Sequence, residues 1–395
     1  MKKSTFTVFY SKILPLLVLA HFGHHLLLAL LVPLLPYIRD DFILDYSQAG
    51  WLVSAFTLAY GISQLPAGWL ADRFGPRLMI TIGISGVALA GLLVGISPTY
   101  VMMLFFLVLL GAMGGGYHPS ATPLVSASVV PEGRGRALGI HQIGGSASYF
   151  LSPLIAIALA NAFGWRGSFI GLAIPVIAFG IILYIFLGRH IYDKKPGTES
   201  IVNESGIFTS GKWRRLIVFL ILAIVSETVI WAVIAFIPLF LVDQLSIGEG
   251  AAGALLAVVY SGGLWAAPLG GYLCDRWGRV PMIIATSFFA SLIIYLLTLI
   301  SHGWSMSAVL VAVGMSAFFL IPVSEAYLIN HSPERKRSMI LGIYYVGSIG
   351  GPGALAPAIG YLIDWISFDT SFAIVGAALA TITLACTVFL WGDRG

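Results

Sequence analysis

Two carboxyls and five imidazoles stand inside the long apolar runs of this sequence. Glu227 and Glu325 are the carboxyls; His21, His24, His25, His118 and His141 are the imidazoles. An ionisable group at the centre of an apolar helix costs roughly 2.5–3.5 kcal/mol on insertion scales, so by default it signals function. No Lys or Arg occupies the middle of any apolar run. The chemistry open to this set is proton uptake and release. Desolvation favours the neutral acid of a glutamate, and histidine titrates near neutrality. Each group also has a structural alternative. Glu227 fits a neutral acid bonded between helices, and His24 fits a packed, hydrogen-bonded ring.

Depth separates the candidates. Glu227 lies twelve residues beyond Arg215, roughly 18 Å at about 1.5 Å per residue. His24 lies the same distance beyond Lys12. His21 and His25 are one helical turn apart and share a face, which suits packing. Glu325 stands ten residues before Arg335, close enough to an end to snorkel or pair. His118 precedes Pro119, whose ring bends a helix and frees a carbonyl, so His118 is placed to face a cavity. His141 follows Arg136 by five residues, a depth that suits gating or structure. Among the aromatic residues, Trp231, one turn beyond Glu227, and Tyr117, beside His118, are the candidates for a cavity wall. Both side-chain types combine apolar area with one hydrogen-bonding handle.

The elements that must position these groups are membrane helices. The 395 residues are 58% hydrophobic and 10% charged, against roughly 25% charged in a soluble domain. A bilayer core needs about 20 apolar residues per helix. Twelve spans are predicted, near 13–36, 47–70, 78–96, 100–126, 137–160, 167–187, 216–242, 251–273, 281–300, 305–329, 339–363 and 370–390. With the N-terminus inside, 19 of the 21 Lys and Arg fall in inner segments; only Arg39 and Arg166 fall outside. The positive-inside rule therefore sets both termini in the cytoplasm. The basic start resembles a signal peptide, but the apolar run behind it is too long and shows no clear cleavage site, so it reads as a retained first helix. The net charge of +4 marks sidedness and not nucleic-acid binding. Cys274 and Cys386, one in each half, suggest neither a disulfide framework nor a metal site.

One stretch recurs. Gly68-Trp69-Leu70-Ala71-Asp72-Arg73-Phe74-Gly75-Pro76-Arg77 joins spans two and three; Gly271-Tyr272-Leu273-Cys274-Asp275-Arg276-Trp277-Gly278-Arg279 joins spans eight and nine. The copies are offset by 203 residues, which also relates Gly50 to Gly253, Pro119 to Pro322, Gly139 to Gly342, Gly144 to Gly347, Phe169 to Phe372 and His24 to Glu227. The chain thus reads as two parallel six-helix halves, 1–188 and 213–395, joined by a polar cytoplasmic linker, 189–212. In such a fold the substrate site lies near the bilayer midplane between the halves.

The pattern G-x-L-x-D-R-x-G-x-[RK] resembles the loop signature of the major facilitator superfamily. The resemblance covers essentially the whole chain and implies an all-α membrane transporter working by alternating access. In that family the loop cluster latches the halves in the outward-open state. By resemblance Gly68, Asp72, Arg73, Gly75 and Arg77 take that gating role, with Gly271, Asp275, Arg276, Gly278 and Arg279 as the second copy. A finer resemblance covers about a quarter of the chain. Gly115-Gly116-Tyr117-His118-Pro119, Gly135 through Gly145, and the stretch from His21 to Pro36 look like the fosmidomycin-resistance exporters. This implies proton-coupled efflux of a small compound. One departure stands out: Leu107 sits four residues before Gly111, where many drug/proton antiporters carry an arginine.

The expectation is therefore a proton-coupled secondary transporter, monomeric, in a cell inner membrane. His24 and Glu227 form its central titratable site, with His118, Glu325, Trp231 and Tyr117 around them. The alternatives are a facilitator or symporter importing a small organic anion, and a receptor that binds without flux. No nucleophile–base pair, cofactor motif or nucleotide-binding loop points to an enzyme.

Overall fold

The computed structural model describes residues 3–129, 134–190, 210–300, 303–333 and 336–391. Most of the expected linker lies outside these residues, as do Lys2, Lys194, Lys195, Arg335 and Arg394 of the inner basic set. The described chain is helical throughout, with no strand. In chain order the helices are α1 (Lys3–Leu28), α2 (Leu31–Phe42), α3 (Tyr46–Phe74), α4 (Pro76–Thr81), α5 (Val87–Gly95), α6 (Tyr100–Gly114), α7 (Tyr117–Ala127), α8 (Arg134–His190), α9 (Ser210–Asp243), α10 (Glu249–Tyr260), α11 (Gly262–Trp277), α12 (Arg279–Leu297), α13 (Trp304–His331), α14 (Arg337–Trp365) and α15 (Phe368–Leu390). Among the described residues, ten segments are long and apolar enough to cross a membrane.

Several expected spans are interrupted, and proline explains two interruptions. The first span breaks at Ala29–Leu30, between α1 and α2, and continues to Phe42. Pro33 lacks the N–H that would bond the carbonyl of Ala29, and its ring crowds that carbonyl. Pro119 stands in the same relation to Gly115, where α6 gives way to α7. The third span contains a π-turn at Ile82–Gly86, a local widening common at functional positions. Spans five and six are nearly continuous in α8, divided by Gly164 at φ 72°.

The two copies of the loop motif share one backbone solution. Each first helix ends just before a glycine, Gly75 at φ 83° or Gly278 at φ 87°. Only glycine adopts that conformation without strain. The next helix starts immediately, at Pro76 or Arg279. At its opposite end α3 opens with a capping box. The Asp45 carboxylate accepts from the Gln48 N–H at 2.6 Å, and the Gln48 side chain accepts from the Asp45 N–H at 3.0 Å.

Helix packing brings distant parts of the chain together. α3 runs along α14, α1 along α8, and α10 also packs on α8. Gly61 meets Gly350 backbone to backbone on the α3–α14 line. These contacts gather α1, α7 and α8 on one side of the interior, and α9, α13 and α14 on the other.

Candidate functional site

The first side is a wall of imidazoles. His21, His24 and His25 from α1 meet His118 from α7 and His141 from α8. Ring centroids lie 4.3 Å apart for His21–His141, 4.9 Å for His21–His25, 5.2 Å for His21–His118 and 5.3 Å for His25–His118. His24 stacks on Tyr117 at 4.3 Å. All but His118 are buried; His118 is half-buried.

Hydrogen bonds orient three of these rings. His21 Nδ1 donates to the His141 carbonyl at 2.9 Å, and His24 Nδ1 donates to the Gly83 carbonyl, within the π-turn, at 2.6 Å. A carbonyl only accepts, so both Nδ1 atoms carry the proton. In the neutral form of either ring, Nε2 is then the acceptor. His24 Nε2 meets the Tyr60 hydroxyl at 3.3 Å, and His141 Nε2 meets the Tyr117 hydroxyl at 3.2 Å. Tyr117 is fully buried, so it backs the histidines from within the helix bundle.

The second side carries the carboxyls. Glu227 on α9 is 3% exposed. Its Oε1 accepts the Tyr344 hydroxyl of α14 at 2.6 Å. Glu325 on α13 accepts the neighbouring Tyr345 hydroxyl at 2.9 Å. Among the described residues no Lys, Arg or His forms an ion pair with either. Both expected carboxyls therefore sit inside the bundle, each on a tyrosine of α14.

Aromatic rings span the gap between the two sides. His25 lies 4.9 Å from Tyr149, Tyr149 lies 5.3 Å from Tyr260 and 6.2 Å from Trp231, and Trp231 packs edge-on against Phe318 at 5.4 Å. Trp231 is thus part of this bridge. His24 and Glu227, paired by the sequence offset, belong to different clusters. No hydrogen bond joins them among the described residues.

The two ends of the bundle differ. At one end Arg39 of α2 forms a two-pronged ion pair with Asp243 of α9. The Tyr46 hydroxyl donates to the same carboxylate at 2.7 Å. The backbone N–H groups of Tyr46 and Ser47 donate to Asp364 of α14 at 2.9 and 2.8 Å. Sequence reasoning did not select these residues. The available signal was that Arg39 is one of only two basic residues outside the inner set.

At the other end the motif loops contact their own surroundings. Arg73 lies over the Trp69 and Phe74 rings at 5.4 and 5.7 Å. Arg77 donates to the Tyr184 carbonyl at 2.8 Å and covers the Tyr184 ring at 3.6 Å. Arg279 approaches Asp275 of its own loop at 3.8 Å. Asp72, Arg73, Asp275 and Arg276 are exposed, and a side chain added at Gly68 or Gly271 would meet nothing within 4 Å. Leu107, in the place of the antiporter arginine, is buried in the apolar core.

Comparison with known proteins agrees with this architecture. The sequence pattern of the Major Facilitator Superfamily matches residues 17–226 and 219–395. The multidrug resistance protein MdtG of Proteus mirabilis is 26% identical over 373 residues, 87% of this chain and 92% of that protein. The probable sulfoacetate transporter SauU of Cupriavidus necator is 26% identical over 381 residues, 89% of this chain and 86% of that one. Among solved structures, a POT family transporter in complex with 5-aminolevulinic acid superposes with a TM-score of 0.80. It has 13% identity and covers 95% of each chain. The chain belongs to the Major Facilitator Superfamily and is a multi-pass membrane transporter, as its repeated loop implied.

Proposed function

We propose that this protein is a proton-coupled secondary transporter that moves a small organic compound by alternating access, with Glu227 carrying the proton. The enclosure of Glu227 with Tyr344 carries this reading. A buried carboxylate without a cationic partner is costly. Binding a proton removes the charge, and the Tyr344 hydroxyl satisfies one oxygen. When the bundle opens, water reaches the group and the proton leaves. Glu325 on Tyr345 is positioned as the second stop. His24 has both nitrogens in hydrogen bonds, so we assign it to holding α1 against α3 and the π-turn. His118, Tyr149 and Trp231 are assigned to the substrate cavity.

Counting α3 as a span and dividing α8 at Gly164 turns the ten apolar segments into twelve. We read these as two six-helix halves, 1–188 and 213–395, with the linker 189–212 and both termini in the cytoplasm. In that orientation the Arg39–Asp243 end faces outward and is shut, while the motif loops face the cytoplasm with Asp72, Arg73, Asp275 and Arg276 exposed. The conformation is then inward-facing. Asp72 with Arg73 and Arg77, and Asp275 with Arg276 and Arg279, would engage when the cycle reverses. The protein would act as a monomer in the inner membrane. Export is supported by the likeness to MdtG and to the fosmidomycin-resistance exporters. A second reading, import of a small organic anion, is supported by the likeness to SauU.

The test is proton flux in sealed proteoliposomes challenged with a panel of antibiotics and small organic acids. A compound should move protons with the wild type and not with Glu227→Gln. Saturable transport indifferent to pH and to the proton gradient would sink the coupling.

A further inference from the structure

We propose that His21, His25 and His118 form a binding site for a divalent transition-metal ion of the Zn²⁺ kind, with its fourth position open to an anionic ligand. One nitrogen from each of these rings lies within 4.8 Å of the other two. Two of the rings are at least nine-tenths buried, and each leaves a nitrogen with no hydrogen-bond partner: His21 Nε2 and His25 Nδ1. A buried polar atom without a hydrogen-bond partner is costly, and such atoms ask for an explanation. A bound cation supplies one.

The supporting contacts suit a metal ligand. His21 donates its other nitrogen, Nδ1, to the His141 carbonyl and stacks on the His141 ring at 4.3 Å. This fixes the tautomer and aims the Nε2 lone pair away from His141. Metal-binding histidines are commonly oriented by a bond of this kind. Zinc–nitrogen bonds of about 2.0–2.1 Å in a tetrahedron hold their ligands roughly 3.4 Å apart. The present spread closes to that distance by side-chain shifts of about 1 Å. His21 and His25 come from adjacent turns of α1, so two of the three ligands are set by helix geometry alone.

The donor set decides the class of ion. Three imidazoles and no carboxylate favour zinc, copper, nickel or cobalt over magnesium or calcium, which take oxygen ligands. Three neutral rings also leave the ion's positive charge uncompensated. His118 is the half-buried member, and the fourth position beside it completes the shell with hydroxide or a carboxylate. The site stands apart from the carboxyl pair, and the inference does not depend on proton coupling.

The experiment is a Co²⁺ titration of the full-length protein in detergent, with any purification tag removed. Tetrahedral cobalt should give visible absorption bands that saturate at one ion per chain and disappear on adding Zn²⁺. His25→Gln and His118→Gln should each weaken binding by at least about 100-fold, given that supporting residues alone account for 10–100-fold. His331→Gln, remote from the cluster, should bind as the wild type does. Unchanged thermal midpoints without metal establish that the variants are folded; if one fails to fold, the other decides. Absence of a cobalt band, equal affinity in a folded His25→Gln or His118→Gln, or displacement by Mg²⁺ at matched concentration overturns the proposal.

Discussion

The imidazole wall and the carboxyl wall are built on the same packing. Gly144 of α8 backs onto α1, where an added side chain would collide with the Val18 carbonyl and reach His21 Cβ at 3.2 Å. Gly347 of α14 backs onto α9, where it would meet Ile224 at 2.7 Å. Glycine pair and contact pair alike are separated by 203 residues. His141 and Tyr344 are separated by that same offset, and each reaches back to the helix its glycine touches: His141 to His21, Tyr344 to Glu227. The repeated scaffold therefore fixes where a helix pair presents functional groups, and the residues placed there fix which chemistry results. One copy presents lone pairs without acids; the other presents acids without bases.

Four measurements would break or sharpen that contrast. The largest effect is expected from exchanging the offset-related pair. Glu227→Gln should cut proton-coupled flux by roughly 100-fold, the scale on which loss of a proton-transferring group acts, while His24→Gln should retain most of it. Equal losses in proteoliposome flux would erase the distinction between the walls.

Next is the scaffold. Gly144→Val should destabilise by about 1–3 kcal/mol through overpacking, because the obstacle is backbone. Gly347→Val should cost less, since the Ile224 side chain can move. Gly139→Ala, with nothing within 4 Å, serves as the reference. Thermal unfolding in detergent ranks the three.

Tyr344→Phe removes one hydroxyl from Glu227. A hydrogen bond is worth about 0.5–1.5 kcal/mol, so coupled flux should fall by roughly 3–10-fold while cobalt binding at the histidines stays unchanged. Any loss of cobalt binding would show that the walls are not independent. The smallest effect is expected from Arg39→Gln. Losing a partly buried pair worth about 1 kcal/mol should shift the balance between closed and open forms of the Arg39 end about fivefold, read as spin-label distances between α2 and α9.

Much of this organisation was legible in the sequence because its signals are local. A long apolar run marks a membrane helix, and the glycine at position 75 or 278 marks a turn that only glycine accepts. The buried Glu227 and His24 and the half-buried Glu325 stood out against their apolar surroundings. What was not legible depends on partners far along the chain. The pairing of Glu227 with Tyr344 spans 117 residues, and that of Arg39 with Asp243 spans 204. His118 joins His21 and His25 only after α7 folds back beside α1, so spacing along the chain did not suggest a shared ligand. Helix breaks at Ala29 and Gly115 follow from prolines four residues later, a signal present in the sequence and not used to divide the spans.

The ion pair at the Arg39 end has an environmental consequence. Arg39 and Asp243 retain 17% and 21% of their side-chain exposure, so dissolved ions still reach them. Near the interface the screening length shrinks from about 10 Å at 0.1 M salt to about 3 Å at 1 M. In the proposed orientation a brine outside the cell would therefore weaken this contact, though less than it weakens fully exposed pairs. Under that orientation the salinity of the medium bears, through one arginine and one aspartate, on how firmly that end is closed.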